Sequence, residues 1–159
     1  MNDNDNNKSI FVGVWDVTKK PLNAQDALDF VADDINGAAD LFLGAVRNHN
    51  MGRQVKAVSY DVYEELAINN FREICEEAGE KWGTKDKPLR FYVVHGKGRL
   101  NIGGLSIMIA VGSPHRKESF EACRYVIEQI KHRSPVWKQE HYIDGDSDWV
   151  QGHALCQHG

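Results

Sequence analysis

Apolar positions along the chain switch between two-residue and helical periods, and the switches fall at glycine, proline and asparagine. After the polar opening MNDNDNNKS, the run SIFVGVW (9–15) predicts a short strand. Asn23 is placed to cap a helix reaching about Ile35, with Ala24, Leu28, Val31, Ala32 and Ile35 at helical spacing. AADLFLGAVR (38–47) predicts a strand running into the loop NHNMGR, and VKAVSYDVY (55–63) alternates as its hairpin partner. EELAINNFREICEEAGEKW (64–82) is a strong helical pattern, with Leu66, Ala67, Phe71, Ile74, Cys75 and Ala78 on one stripe.

Pro88 then opens a strand LRFYVVH; GKGRLNIGG (96–104) reads as a turn or wide loop, and LSIMIAVGS (105–113) as a second, more hydrophobic strand with a central place. Ser113 with Pro114 has the form of an N-cap followed by a first-turn proline. The helix it opens runs to about His132, burying Phe120, Cys123, Val126, Ile127 and Ile130, and Pro135 ends it. VWKQEHYI returns as a strand, and DWVQG predicts one more short one. The order β-α-β-β-α-β-β-α-β indicates an α+β fold, a mainly antiparallel sheet with helices packed against it. Residues 9–159 are expected to form one domain behind a disordered polar tail, 1–8.

Composition narrows the function classes. A net charge of −4 over 159 residues argues against general nucleic-acid or anionic-membrane binding, so any anion site must be local. Cys75, Cys123 and Cys156 are odd in number and far apart, which suits a reducing compartment and neither a disulfide framework nor zinc. No apolar run approaches the ~20 residues of a membrane span. The opening residues resemble no signal or transit peptide, and the expected location is the cytoplasm.

Against that charge, IKHRSPVWKQE (130–140) gathers Lys131, His132, Arg133 and Lys138 around Pro135 and Trp137. Lys131 falls one position past an apolar stripe, at the edge of the core. A helix end and the strand after it can bring two lysines into one pocket, where clustered cations make a lysine lose its proton more readily, as a nucleophile or general base requires. The second stretch, SPHRKESF, puts His115 and Arg116 in a helix's first turn. Cations there oppose the helix dipole unless an anion meets them, so the pair reads either as a phosphate-binding site or as an incidental surface pair. Arg47, ending its strand before a glycine-bearing loop, is a third candidate cation at the pocket mouth. There is no P-loop, G-x-G-x-x-G, H-E-x-x-H or Ser/His/Asp pattern, and the closing HALCQHG reads as a tail rather than a metal site.

In combination, GAVRNHNMG, VSYDVYEELA, VGSPHRKESFEAC, IEQIKHRSPVWKQE and the late DWV resemble the catalytic (large) subunit of molybdopterin synthase, the MoaE family, over about 38–150. The resemblance implies an α/β hammerhead-type fold and a homodimer. Each protomer would accept the C-terminal Gly-Gly thiocarboxylate of a small ubiquitin-like subunit, giving a heterotetramer. Sulfur would pass to cyclic pyranopterin monophosphate to form the dithiolene of molybdopterin, with no metal or other cofactor. It further implies Lys131 and Lys138 as catalytic, and Arg47, His115, Arg116 and Glu140, with Ala45, Val46 and Gln139, as substrate-binding. Three positions depart from the family pattern: Gly96 in place of an arginine, Gly104 in place of an acidic residue, and Ala45 where a basic residue can occur. The presence of both lysines argues against a non-catalytic anion-binding relative. It leaves open a sulfur-transfer or amide-forming enzyme that uses such a tail on another substrate.

Overall fold

Strands β5 (Arg90–Asn101) and β6 (Leu105–Ser113) carry the chain's most continuous apolar runs, and the computed structural model, which describes residues 9–151, shows why. Both strands are covered on both faces, so each parity of side chain finds a core. Phe91, Val93, Ile109 and Val111 face one helix pair, α2 (Glu64–Trp82) and α3 (Arg116–Arg133), with Phe71, Ile74 and Val126. The alternate residues Tyr92, Val94, Met108 and Ala110 face α1 (Ala24–Val31), against Ala27 and Val31.

The strands run in the order β2-β6-β5-β4-β7-β8, with β2 at Ala38–Ala45, β4 at Arg53–Val62, β7 at Val136–Tyr142 and β8 at Gly145–Asp146. Strand β1 (Ile10–Asp16) pairs in parallel with β5, β3 (His49–Asn50) pairs with β4, and β9 (Val150–Gln151) with β7. All pairings except β1 with β5 are antiparallel. The α+β expectation holds.

Several local expectations do not. β2 pairs with β6 and not with β4. A tight turn with positive φ at Met51 (51°) and Gly52 (77°) limits the expected hairpin to β3 and the start of β4. The segment 96–101 is strand rather than loop. β5 continues through it, and a left-handed Gly98 (φ 112°) lets the strand leave β1 and pair with β4. Asn23 does cap α1, its Oδ1 accepting from the Gln25 N–H at 2.9 Å. The helix stops at Val31, however, and Ile35, in a turn held by Asp33, is exposed. Ser113 ends β6 and donates its hydroxyl to the His115 carbonyl, so His115 is the N-cap of α3. Leu66 and Phe120, expected on buried stripes, are exposed.

Arg133 clamps α3 to α2 through Glu77, with N···O distances of 2.6 and 3.1 Å. Among the described residues no helix is long and apolar enough to cross a membrane. The polar tail 1–8, Cys156 and the closing HALCQHG lie outside the described residues.

Candidate active site

Strand alternation on β7 points Val136, Lys138 and Glu140 to one side and Trp137 and Gln139 to the other. The β4 register sets Tyr60 opposite Lys138 and Val58 opposite Glu140. Lys131 reaches the same place from the last turn of α3, where the Ser134 N–H closes the helix on the Ile130 carbonyl. The result is a narrow chamber of about 30 Å³, lined by Tyr60, His95, Ser106, Lys131, Ser134 and Lys138. It adjoins a wider cleft of about 200 Å³ that shares both lysines and adds Ala45, Val46, Arg47 and Glu140. Lys131 is exposed at the mouth, whereas Lys138 is buried.

Lys138 Nζ lies 3.5 Å from Glu140 Oε1, and both side chains are more than nine-tenths buried. A buried ammonium requires such a partner. The other Glu140 oxygen accepts from Asn50 Nδ2 at 3.0 Å, and Asn50 Oδ1 accepts from Arg47 Nη2 at 3.1 Å. Tyr142, whose hydroxyl pKa is raised by burial and by donating to Glu140, closes the cluster.

His95 forms another wall. It is buried, with its ring edge toward Tyr60 at 5.2 Å between centroids. Its Nδ1 lies 2.8 Å from the Gly96 carbonyl, which can only accept, so the proton sits on Nδ1 and Nε2 keeps a lone pair. Burial first, and then the charge of Lys131, pulls its pKa down to about 4 against that hydrogen bond. His95 is therefore a neutral wall beside a cationic lysine.

Of the expected site residues, the fold brings together Lys131, Lys138, Glu140, Arg47, Ala45 and Val46. Gln139 is not among them: it lies on the far face of β7 and donates to the Ser147 carbonyl at 3.2 Å. His115 and Arg116 stand exposed at the other end of α3. Fifteen residues separate Arg116 from Lys131 on that helix, about 22 Å at its rise per residue. Arg133 is committed to Glu77 and Glu73, so the basic cluster around Pro135 splits in two.

Sequence reasoning missed Tyr60, His95, Ser106 and Ser134, which line the chamber, and Asn50, which donates to Glu140. A histidine closing the apolar run FYVV was a usable signal; Asn50 gave none, because its burial depends on contacts made by β7. Two departures from the family pattern have packing reasons. A Cβ at Gly96 would sit 2.6 Å from the Val17 side chain, and one at Gly104 would sit 2.9 Å from Leu100.

A Ser59–His141–Asp146 chain, with contacts of 2.7 and 2.9 Å, lies on the face of β7 away from the lysines and ties β8 to β4. It has the order of a hydrolytic triad but stands apart from the cleft.

A family model described as MoaE protein matches residues 17–133. The molybdopterin synthase catalytic subunit of Synechococcus elongatus is 46% identical over 137 residues, covering 86% of this chain and 81% of that protein. Among solved structures, molybdopterin synthase from Staphylococcus aureus superposes with a TM-score of 0.77 at 31% identity, over 87% of this chain and 95% of that one. A protein–protein complex of subunits 1 and 2 of molybdopterin-converting factor from Helicobacter pylori shares the fold, with a TM-score of 0.65 at 21% identity over 87% and 88% of the two chains. The fold, the paired lysines and these relatives agree, and the chain belongs to the MoaE family.

Proposed function

We propose that this chain is the catalytic subunit of a molybdopterin synthase. It takes the thiocarboxylated Gly-Gly terminus of a small ubiquitin-like subunit and passes the sulfur to cyclic pyranopterin monophosphate, building the dithiolene. The observation that carries this reading is the pair Lys131 and Lys138 meeting at a chamber of about 30 Å³ beneath a cation-lined cleft. A space of that size admits about one water-sized group. A tail can thread it only without side chains, which is what two glycines provide. The Helicobacter pylori assembly joins a chain of this fold to a second subunit, the arrangement proposed here.

Each transfer forms a carbon–sulfur bond at a pterin side-chain carbon as a carbon–oxygen bond of that carbon breaks, its oxygen leaving with the opened phosphate or as water. Hydrolysis of the tail's carbon–sulfur bond puts a water oxygen into the released carboxylate. The thiocarboxylate is already a nucleophile, so the protein's work is placement and proton movement. Lys138, paired with Glu140, is a fixed cation that orients the tail and offsets developing charge. Lys131 at the mouth is the acid/base or covalent lysine. Arg47 holds the substrate phosphate in the wider cleft.

His115 and Arg116 are too far along α3 to serve the cleft of their own chain. In the proposed homodimer, within a heterotetramer, the helix start of one protomer serves the cleft of the other. The cytoplasm is the proposed location. Buried Cys75 and Cys123 are consistent with reducing surroundings: burial raises both thiol pKa values, Cys123 to about 12. The test is incubation with the thiocarboxylated small subunit and cyclic pyranopterin monophosphate. Dithiolene product is expected; tail binding without product would reject the reading.

A further inference from the structure

Between Arg47 and Arg53, around the turn that joins β3 to β4, one side chain points inward. Arg47, Asn48, His49, Met51, Gly52 and Arg53 are exposed, while Asn50 retains 4% of its surface. Positive φ at both turn residues pairs Asn50 with Arg53, the two-residue geometry that follows strand twist. The hairpin is fastened to β7 from outside. The Arg53 guanidinium stacks 3.6 Å from the Tyr142 ring centroid and lies 2.7 Å from Asp144, and the Ile143 N–H donates to the Gln54 carbonyl. Asn50 is thus held at a set depth beside Glu140.

Its amide is used at both ends: Oδ1 accepts from Arg47, and Nδ2 donates to Glu140 and, at 3.4 Å, to the Tyr142 hydroxyl. A carboxamide carries an acceptor and a donor at separate ends, so it can accept from the guanidinium and donate to the carboxylate at once with no change of protonation. An aspartate would set a second anion against Glu140. An alanine would leave Glu140 one donor short and Arg47 without its guide.

We propose that Asn50 is a positioning residue for the reaction, fixing the reach between the phosphate-holding Arg47 and the Glu140–Lys138 pair. This rests on the proposed sulfur transfer. Asn50 acts through its two neighbours and need not touch substrate. Geometry held this way matters because small displacements of a bound group from its attack position are costly in rate.

The experiment uses the full chain with thiocarboxylated small subunit, and compares wild type, Asn50→Ala, Asn50→Asp, Arg47→Ala and the Arg47→Ala/Asn50→Ala pair. In folded Asn50→Ala, kcat/KM for the cyclic phosphate substrate should fall about tenfold, mainly through KM. The double variant should bind substrate no worse than Arg47→Ala alone, because the two act as one unit. Asn50→Asp should lose activity at neutral pH and regain part of it as the pH falls, since one proton shared between the introduced carboxyl group and Glu140 restores the bridge. Wild type should lack that rise.

Wild-type constants in Asn50→Ala, or penalties that add with Arg47→Ala, would overturn the proposal. If Asn50→Ala fails to fold, Asn50→Ser carries the same comparison. If wild type forms no dithiolene, the functional reading has failed instead. Titration with inorganic phosphate then judges Asn50: binding about tenfold weaker in Asn50→Ala supports it, and unchanged binding overturns it.

Discussion

His95 offers the sharpest quantitative test, because its environment makes protonation costly. In the unfolded chain an ordinary histidine titrates near 6.5, and in the folded protein His95 titrates near 4. Between those values the unfolded state takes up a proton that the folded state refuses, so stability falls as the pH drops from 6.5 to 4. Above 6.5 both states are neutral and below 4 both are charged, so the contribution is flat outside that window. Each pH unit inside it is worth about 1.4 kcal/mol, and the whole window about 3 kcal/mol.

His95→Gln removes the titration while keeping an N–H for the Gly96 carbonyl. The variant will carry a roughly constant packing penalty, but its stability should gain about 3 kcal/mol on wild type between pH 7.5 and pH 4. Urea unfolding at several pH values, with equal m-values, measures the difference directly. In a chain of this length the same change appears as a relative melting-temperature shift of about 6–12 °C. Parallel stability curves for the two proteins would refute the reasoning, by showing that His95 gains its proton in the fold as readily as in the unfolded chain.

Four further outcomes are expected. Lys131→Arg keeps its charge but holds its proton, so it should fold, dimerise and bind the small subunit while losing nearly all dithiolene formation; substantial turnover would return Lys131 to a helix-end cation. Lys138→Arg should retain more activity than Lys131→Arg in the same assay, because orientation and charge survive. Glu140→Gln strands the buried Lys138 ammonium and should cost about 3–5 kcal/mol, read by urea unfolding. Mixing inactive Arg116→Ala and Lys131→Ala proteins under subunit exchange should restore about a quarter of wild-type activity, since half the dimers would carry one intact site; no recovery would place both residues in one protomer's site.

Much of this molecule was legible in its one-dimensional pattern. Apolar period predicted α2 at its observed ends, the buried run of β6 and the burial of Cys123, Val126 and Ile130, because local propensity and burial agree there. Asn23 could be read as a cap because capping is satisfied two residues away. The lysine pair was legible for the same reason: Lys131 and Lys138 are seven residues apart, and Pro135 forces a turn between them.

What sequence could not supply were contacts between residues distant along the chain. β2 and β4 both alternate, and nothing local says that β2 pairs with β6. The depth of His95, the bond from Asn50 across ninety positions to Glu140, and the separation of Arg116 from Lys131 exist only once the sheet is assembled. Periodicity assigns a residue to a face of its own element; which element that face meets is settled by strand order and helix direction. Spacing along the chain determined that Lys131 and Lys138 can share one pocket, and the tertiary structure alone decided which carboxylate, amide and histidine surround them.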